Sequence, residues 1–343
     1  MLSAAASLLL RAVSAIPSPV MTLLVFCLLP LIVILYPIWF IYSHKYATIL
    51  VQAPWRGWYM DILLAIDDLL ITKIGGLNRQ LVWSQPLSSY KHPLGHCWTI
   101  SPHHILFPSF MLPFYADKAG VQSQLGVSLN DTFAAAAKSL FYIPLLRELV
   151  ITLGGRVASP SVVGSMKTFG LAPGGVHEMI RQERDVDHVY LRRGFVRLCV
   201  KKGGLGLVPC YAFDENEIYR PLDLGPYARK AQHWLHRVLG VGLPFWTGLW
   251  GIPFCPLPNR GEYIVGCGRP IDVQKIVECN KDMLEEDLVD LVVKLYIEEV
   301  KRLFEELKEK TGRRKDKRLV VEILETRIAR ATSKDGKDSK KTR

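Results

Sequence analysis

Residues Pro19 to Ser43, PVMTLLVFCLLPLIVILYPIWFIYS, carry no charged side chain. A helix of that length reaches about 37 Å, enough to cross a hydrocarbon core. A secretory leader has a shorter apolar stretch and a small-residue cleavage site, and neither is evident here, so the run predicts a permanent membrane anchor. Pro30 sits in the middle of it and Pro37 further on. Two geometries stay open: one tilted span, or a hairpin that bends at Pro30 and returns to the same face. The first sixty residues hold no Asp or Glu, and His44, Lys45 and Arg56 follow the run. That bias places what comes after on the cytosolic side. The chain therefore divides into an anchor region at 1–56, a domain at 57–311 and a basic, partly disordered tail at 312–343.

The 343 residues carry a formal net charge of +11. Such an excess suits anionic lipid, a phosphate-bearing ligand or nucleic acid. The seven cysteines are scattered, with no C-x-x-C, so neither a zinc cluster nor a redox pair is indicated. An unpatterned odd set fits a reducing, cytosol-facing protein.

Beyond the anchor, GWYMDILLAIDDLLITKIGG (57–76) predicts an amphipathic helix stopped by glycines. A polar connector with Pro86 and Pro93 follows. From about Ile100 to Pro270, apolar runs of strand length alternate with helical ones. FGLAP and GLGLVPCYAF read as buried strands, and DTFAAAAKSLF and LRRGFVRLCVKKG as helices. The alternation predicts an α/β core with a mainly parallel sheet. VGLPFWTGLWGIPFCPLP (241–258) is too broken by Gly and Pro to span a membrane. It serves either as core loops or as aromatic residues at a bilayer interface. The stretch from Asp282 to Lys310 repeats leucine at helical spacing, which predicts a long amphipathic helix with one core-facing stripe.

The chain has no G-x-S-x-G elbow, no phosphate loop and no H-E-x-x-H zinc site. Two segments are left to carry chemistry. One is SPHH, with His103 and His104. The other is LAPGGVHE, where a strand ends at Pro173, Gly174 and Gly175 turn the chain, and Glu178 follows. In α/β sheets, sites form at the C-terminal ends of strands. A carboxylate there can hold an imidazole in one tautomer. The plainer reading is a Pro-Gly-Gly turn with an exposed Glu at a helix start. Arg192, Arg193 and Arg197 lie on a predicted helix, and Arg193 and Arg197 share a face. That row suits phosphates, or is simply a solvated helix face.

Taken together, these segments resemble the type 2 diacylglycerol acyltransferase family, especially its plant and algal members. SPHHILFP resembles the family's x-Pro-His-x block, which is His-Pro-His-Gly in animals and Glu-Pro-His-Ser in plants. LFYIPLLRELVITLGG, APGGVHE, RRGFVRLC, LVPCYAFDENEIYR and VGCGRPID resemble further family blocks, in family order, from about residue 98 to 272. The resemblance implies an acyl-CoA-dependent enzyme that makes triacylglycerol from diacylglycerol. His103 would be the general base on the acceptor hydroxyl, and Glu178 would orient or polarise it. His104, Gly174, Gly175, Arg192, Arg193 and Arg197 would line the substrate or acyl-CoA site. Monoacylglycerol, a wax alcohol or phytol are alternative acceptors, and a non-catalytic scaffold on lipid droplets is the alternative from another class. No metal or cofactor is implied beyond acyl-CoA as cosubstrate. The implied partners are acyl-CoA, diacylglycerol and the endoplasmic reticulum membrane, and no nucleic acid.

Two departures from the family pattern stand out: Ser101 opens the block in place of His or Glu, and His104 replaces Gly or Ser. HPLGH (92–96) mimics the animal block but has Leu94 where the imidazole belongs, so His92 and His96 are expected to be structural. The terminal Lys340 and Lys341 resemble a dilysine retrieval signal read by coat proteins from the cytosol. Asn130-Asp131-Thr132 is a glycosylation sequon that matters only on a lumenal face.

Overall fold

The computed structural model describes residues 35–104, 124–240, 242 and 244–324. Most of the predicted anchor, residues 105–123 and the terminal dilysine lie outside these. Residues 35–43 are helical. No helix among the described residues is long and apolar enough to cross a membrane.

The strands are β1 (Leu77–Trp83), β2 (His96–Ser101), β3 (Thr132–Ala136), β4 (Gly155–Val157), β5 (Thr168–Leu171), β6 (Val186–Leu191), β7 (Gly206–Phe213), β8 (Arg220–Pro221), β9 (Trp246–Thr247), β10 (Gly261–Cys267), β11 (Ile271–Asp272) and β12 (Arg318–Ile323). The helices that matter for the site are α1 (Arg56–Asp67), α2 (Val176–Ile180), α3 (Gly194–Lys201), α4 (Gly225–Leu239) and α5 (Glu285–Thr311).

The α/β architecture is as expected. One eight-stranded sheet runs β1-β10-β7-β2-β5-β3-β4, with β11 added to β7. Most pairs are parallel, while β10 and β11 run antiparallel to β7. Side chains alternate between the two faces. On one face Cys97, Phe133, Phe169, Leu207, Tyr211 and Ile264 pack under α3 and α5. The covering stripe of α5 includes Val289, Val292, Tyr296, Val300, Leu303 and Leu307. The opposite face carries Val208, Cys210, Val265 and Cys267, with Tyr90 and Tyr219 packed onto it.

Three stretches differ from the sequence reading. DTFAAAAKSLF is not a helix: its first part is β3, and Lys138–Tyr142 form a short 3-10 turn. Alanine is the best intrinsic helix former, but propensity is a small term that tertiary context overrides, and pairing on both sides, with β5 and β4, outweighs it. The polar connector contains β1, whose parallel pairing with β10 closes one sheet edge. The stretch after Gly312 begins as a packed segment. Its LVVEI patch forms β12, parallel to β6, and the side chain of Lys317 just before it is fully buried.

The predicted amphipathic helix at 57–76 is α1 continued by a wider π-helical turn, Asp68–Ile74. Its inner side buries Met60 against Leu63, Leu64 and Leu153. Its outer side leaves Trp58, Ile62, Ile66, Leu69 and Leu70 exposed. Leu35, Ile38 and Ile41 on the preceding helical stretch are exposed as well. Trp39 packs edge-on against Trp55, centroids 4.7 Å apart, and so joins the two segments.

Candidate active site

β2 ends at Ser101, and the chain turns through Pro102 to His103 and His104 at the C-terminal ends of the parallel strands. β5 ends nearby and leads through Pro173 into the Gly174–Gly175 turn and α2. The two segments singled out by sequence are therefore brought together by the neighbouring pairing of β2 with β5.

Glu178 joins them. Its side chain is completely buried, and its two oxygens accept N–H bonds from main chain on both sides: His103 N at 2.7 Å and Tyr190 N at 2.9 Å. The sequence reading put this carboxylate against the imidazole. It grips the His103 backbone instead, and so fixes the turn that presents the ring. Burial pushes the Glu178 carboxyl well above the usual range, against the pull of those two N–H donors. Gly174 leaves room for it, because a Cβ there would lie 2.4 Å from Glu178 Oε1. Gly175 takes a φ of 50°, a conformation that favours glycine.

The His103 ring is buried at the wall of a cavity of about 590 Å³. Burial lowers its pKa to about 4, so the ring is neutral at physiological pH. Its Nδ1 has no hydrogen-bond partner among the described residues. His104 does not line the cavity. Its ring is buried, and its main-chain N–H donates to Glu215 Oε2 at 3.4 Å. Burial, then the charge of Lys317, lowers its pKa to about 3. Behind it Lys317 Nζ meets Asp187 at 3.1 Å, Asp214 at 3.5 Å and Asn216 at 2.9 Å, while Tyr211 OH donates to Asp187. His104 is thus part of a buried polar cluster that backs the His103 turn.

The arginines separate. Arg192 lies at the cavity wall. Arg193, at the start of α3, pairs with Asp290 of α5, and Arg197 pairs with Glu286 at 2.7 Å. Lys201 continues the row onto Glu285. Neither Arg193 nor Arg197 is part of the cavity wall. Their face is matched to the acidic first turns of α5, a pairing the sequence reading did not anticipate.

The sequence reading missed two histidines beside Arg192. His236 of α4 lines the cavity and packs edge-on to His177, centroids 5.1 Å apart. Burial, then the charges of Arg192, His236, Arg181 and His233, lowers the His177 pKa to about 4. Only the V-H-E and Q-H-W-L-H runs hinted at them. Arg192→Ala is expected to weaken use of a polyanionic substrate, with an effect that shrinks in high salt, whereas Arg193→Ala changes it little. Rates at two salt concentrations check this, and equal effects of the two substitutions would refute it. His92 and His96 stay outside the cavity. His92 faces Asp272 at 3.5 Å, and His96 Nε2 meets the Tyr90 carbonyl.

The described site is an apolar cavity lined partly by small residues and by Trp83 and Trp98, with a buried neutral imidazole and Arg192 in its wall. A sequence profile described as diacylglycerol acyltransferase matches residues 88–322. A Saccharomyces cerevisiae protein named diacylglycerol O-acyltransferase 1 is 32% identical over 184 residues, which is 50% of this chain and 43% of that protein. Mouse diacylglycerol O-acyltransferase 2-like protein 6 is 29% identical over 241 residues, 64% of this chain and 68% of the mouse protein. Bovine 2-acylglycerol O-acyltransferase 1 is 29% identical over 163 residues, 46% of this chain and 44% of its own. The match spans less than half the length of the yeast and bovine proteins.

Proposed function

Because the chain belongs to the diacylglycerol acyltransferase family, we propose that it is an acyl-CoA:diacylglycerol O-acyltransferase with His103 as its general base. The observation that carries this reading is the placement of a neutral imidazole at the wall of an apolar cavity that Arg192 also lines. The acceptor hydroxyl gives its proton to the His103 ring as its oxygen attacks the thioester carbonyl. The tetrahedral adduct then collapses, the C–S bond breaks, and the departing thiolate takes the proton from the imidazolium. Triacylglycerol and free CoA leave, and the ring is neutral again. A positioned imidazole supplies roughly 10²–10⁴-fold to such a step, because an alcohol is a weak nucleophile at neutral pH.

Glu178 acts on this chemistry through the main chain, by fixing where the ring stands. Arg192 and His236 receive the phosphates of CoA, for which the guanidinium is matched in charge and geometry. No cofactor is invoked besides the cosubstrate. Microsomes from cells lacking neutral-lipid synthesis, given labelled acyl-CoA and diacylglycerol, monoacylglycerol, a wax alcohol or phytol, test the reading. Triacylglycerol is the expected main product. Absence of acyl transfer to every alcohol would favour a scaffold instead.

The reading places the enzyme on the endoplasmic reticulum membrane, with the domain and C-terminus in the cytosol. The exposed apolar side of α1 and of residues 35–43 suits contact with lipid. Coat-protein recognition of Lys340 and Lys341 goes with that topology. Asn130 is exposed, so it is open to modification if lumenal. It is expected to remain unglycosylated. An endoglycosidase-sensitive shift that disappears in Asn130→Gln would put the domain in the lumen.

A further inference from the structure

Strand register orders the cavity wall across one face of the sheet. Trp83 pairs with Cys267, Cys267 with Cys210 and Cys210 with Ile100, so these four point the same way. Trp98, Gly170 and Ala134 form a second such row on that face. Adjacent strands lie about 4.8 Å apart, so the five steps from β3 to β1 extend roughly 24 Å. His103 follows β2 near the middle, and the cavity therefore has two arms.

The arms differ in chemistry. Over β5 and β3 the wall includes Gly170, Ala134, Ala136 and Phe133, with Arg56 and Leu153 at its outer end beside α1. The exposed apolar face of α1 adjoins this arm. Over β7, β10 and β1 the wall is Cys210, Val265, Cys267 and Leu81, with no charged side chain, and it ends on Trp83 of β1, whose ring centroid lies 6.2 Å from that of Trp98 on β2. Those two rings are held in place. Trp83 packs edge-on against Tyr90 at 4.9 Å, and Tyr90 stacks on Trp98 at 6.3 Å. The Tyr90 hydroxyl donates to the Cys267 carbonyl at 3.0 Å.

We propose that the tryptophan-ended arm holds the acyl tail of the acyl-CoA donor, and that Trp83 and Trp98 set the longest chain accepted. The inference rests on the acyl-transfer reading above. A thioester donor brings one tail, and its phosphates must stay outside, at Arg192 and His236. One tail fits the uncharged arm. Diacylglycerol brings two tails from the bilayer, and the arm beside α1, which adjoins an exposed apolar face, suits them. With the reactive carbonyl at His103, the tail runs along the sheet from β2 toward β1 until the indoles stop it.

Full-length protein in microsomes is given an equimolar mixture of medium-, long- and very-long-chain acyl-CoAs, and total product is read separately from its chain-length profile. Trp98→Ala and Trp83→Ala are expected to shift the profile to longer chains, and Cys267→Phe to shorter ones. The shift is about fourfold for each methylene gained or lost, the ratio equivalent to ~0.8 kcal/mol of buried CH₂. Product with an unchanged profile in all three variants would overturn the inference while leaving acyl transfer standing. No product from the unsubstituted chain would sink acyl transfer itself. A second measurement does not depend on the variants folding. An acyl-CoA with a photoreactive group at the tail tip should label peptides bearing Trp83, Trp98 or Cys267 in the unsubstituted protein. Labelling of the Ala134–Leu140 stretch instead would assign that arm to the donor and overturn the proposal.

Discussion

His103→Ala is expected to lower acyl transfer by ~10²–10⁴-fold while the protein stays folded. The contact that holds the turn comes from the main chain of residue 103, which alanine keeps, so Glu178 retains both of its N–H donors. The lost ring has no partner at Nδ1 among the described residues and faces a cavity. His92→Ala and His96→Ala lie outside that cavity and leave most of the rate. Turnover near the unsubstituted level in His103→Ala would end the base assignment. The same variant has a signature in pH. The folded ring takes a proton only near pH 4, whereas the unfolded one does so near 6.5. Between those values the unfolded chain binds more protons, so stability is lost as pH falls from about 6.5 toward 4. His104 and His177, held down in the same direction, share in that loss. Unfolding followed across this window should give a shallower slope in His103→Ala. The kcat/KM profile of the unsubstituted enzyme should show no histidine limb between pH 5.5 and 8, which are round values set above the depressed pKa.

Lys317→Met should be the most damaging substitution far from the cavity. Its ammonium is fully buried against Asp187 and Asp214, and Asn216 accepts from it as well. Removing one partner of a buried pair leaves the other charge uncompensated and costs about 3–5 kcal/mol. Thermal inactivation in detergent should show this loss, together with a fall in rate, because the cluster backs the His104 side of the catalytic turn. Adding Asp187→Asn removes the stranded charge and should recover part of the stability, as a double-mutant cycle would record. A Lys317→Met protein within ~0.5 kcal/mol of the original would show that the cluster carries no such weight.

What the sequence disclosed follows from what is local. FGLAP, GLGLVPCYAF and the helix ending at Gly75 and Gly76 are legible because apolar period and glycine stops are properties of neighbouring residues. SPHH and LAPGGVHE stood out as segments, but their partnership was not derivable from spacing. Only parallel pairing of β2 with β5 brings them together. The role of Glu178 was half visible: the family resemblance implied that the acid after the Gly-Gly turn serves His103, but nothing in the letters shows its burial or distinguishes the ring from the main-chain N–H. The AAAA run shows the opposite failure. Its helix propensity was real but a small term, and two flanking strands overruled it. The arginine row was read as a ligand face because its carboxylate partners are about ninety residues away on α5. Arg192, one position earlier, turns to the cavity.

The pairing of β12 with β6 has a consequence for how the protein is made. Val186 and Arg318 are register partners, 132 residues apart. At ~5–20 residues per second, translation needs on the order of ten seconds to supply the second strand after the first. During that interval the edge of β6 is unpaired and Asp187 and Asp214 lack their cation. An emerging chain thus carries an incomplete support for the His103 turn, and that support is completed only when Lys317 emerges, just ahead of β12.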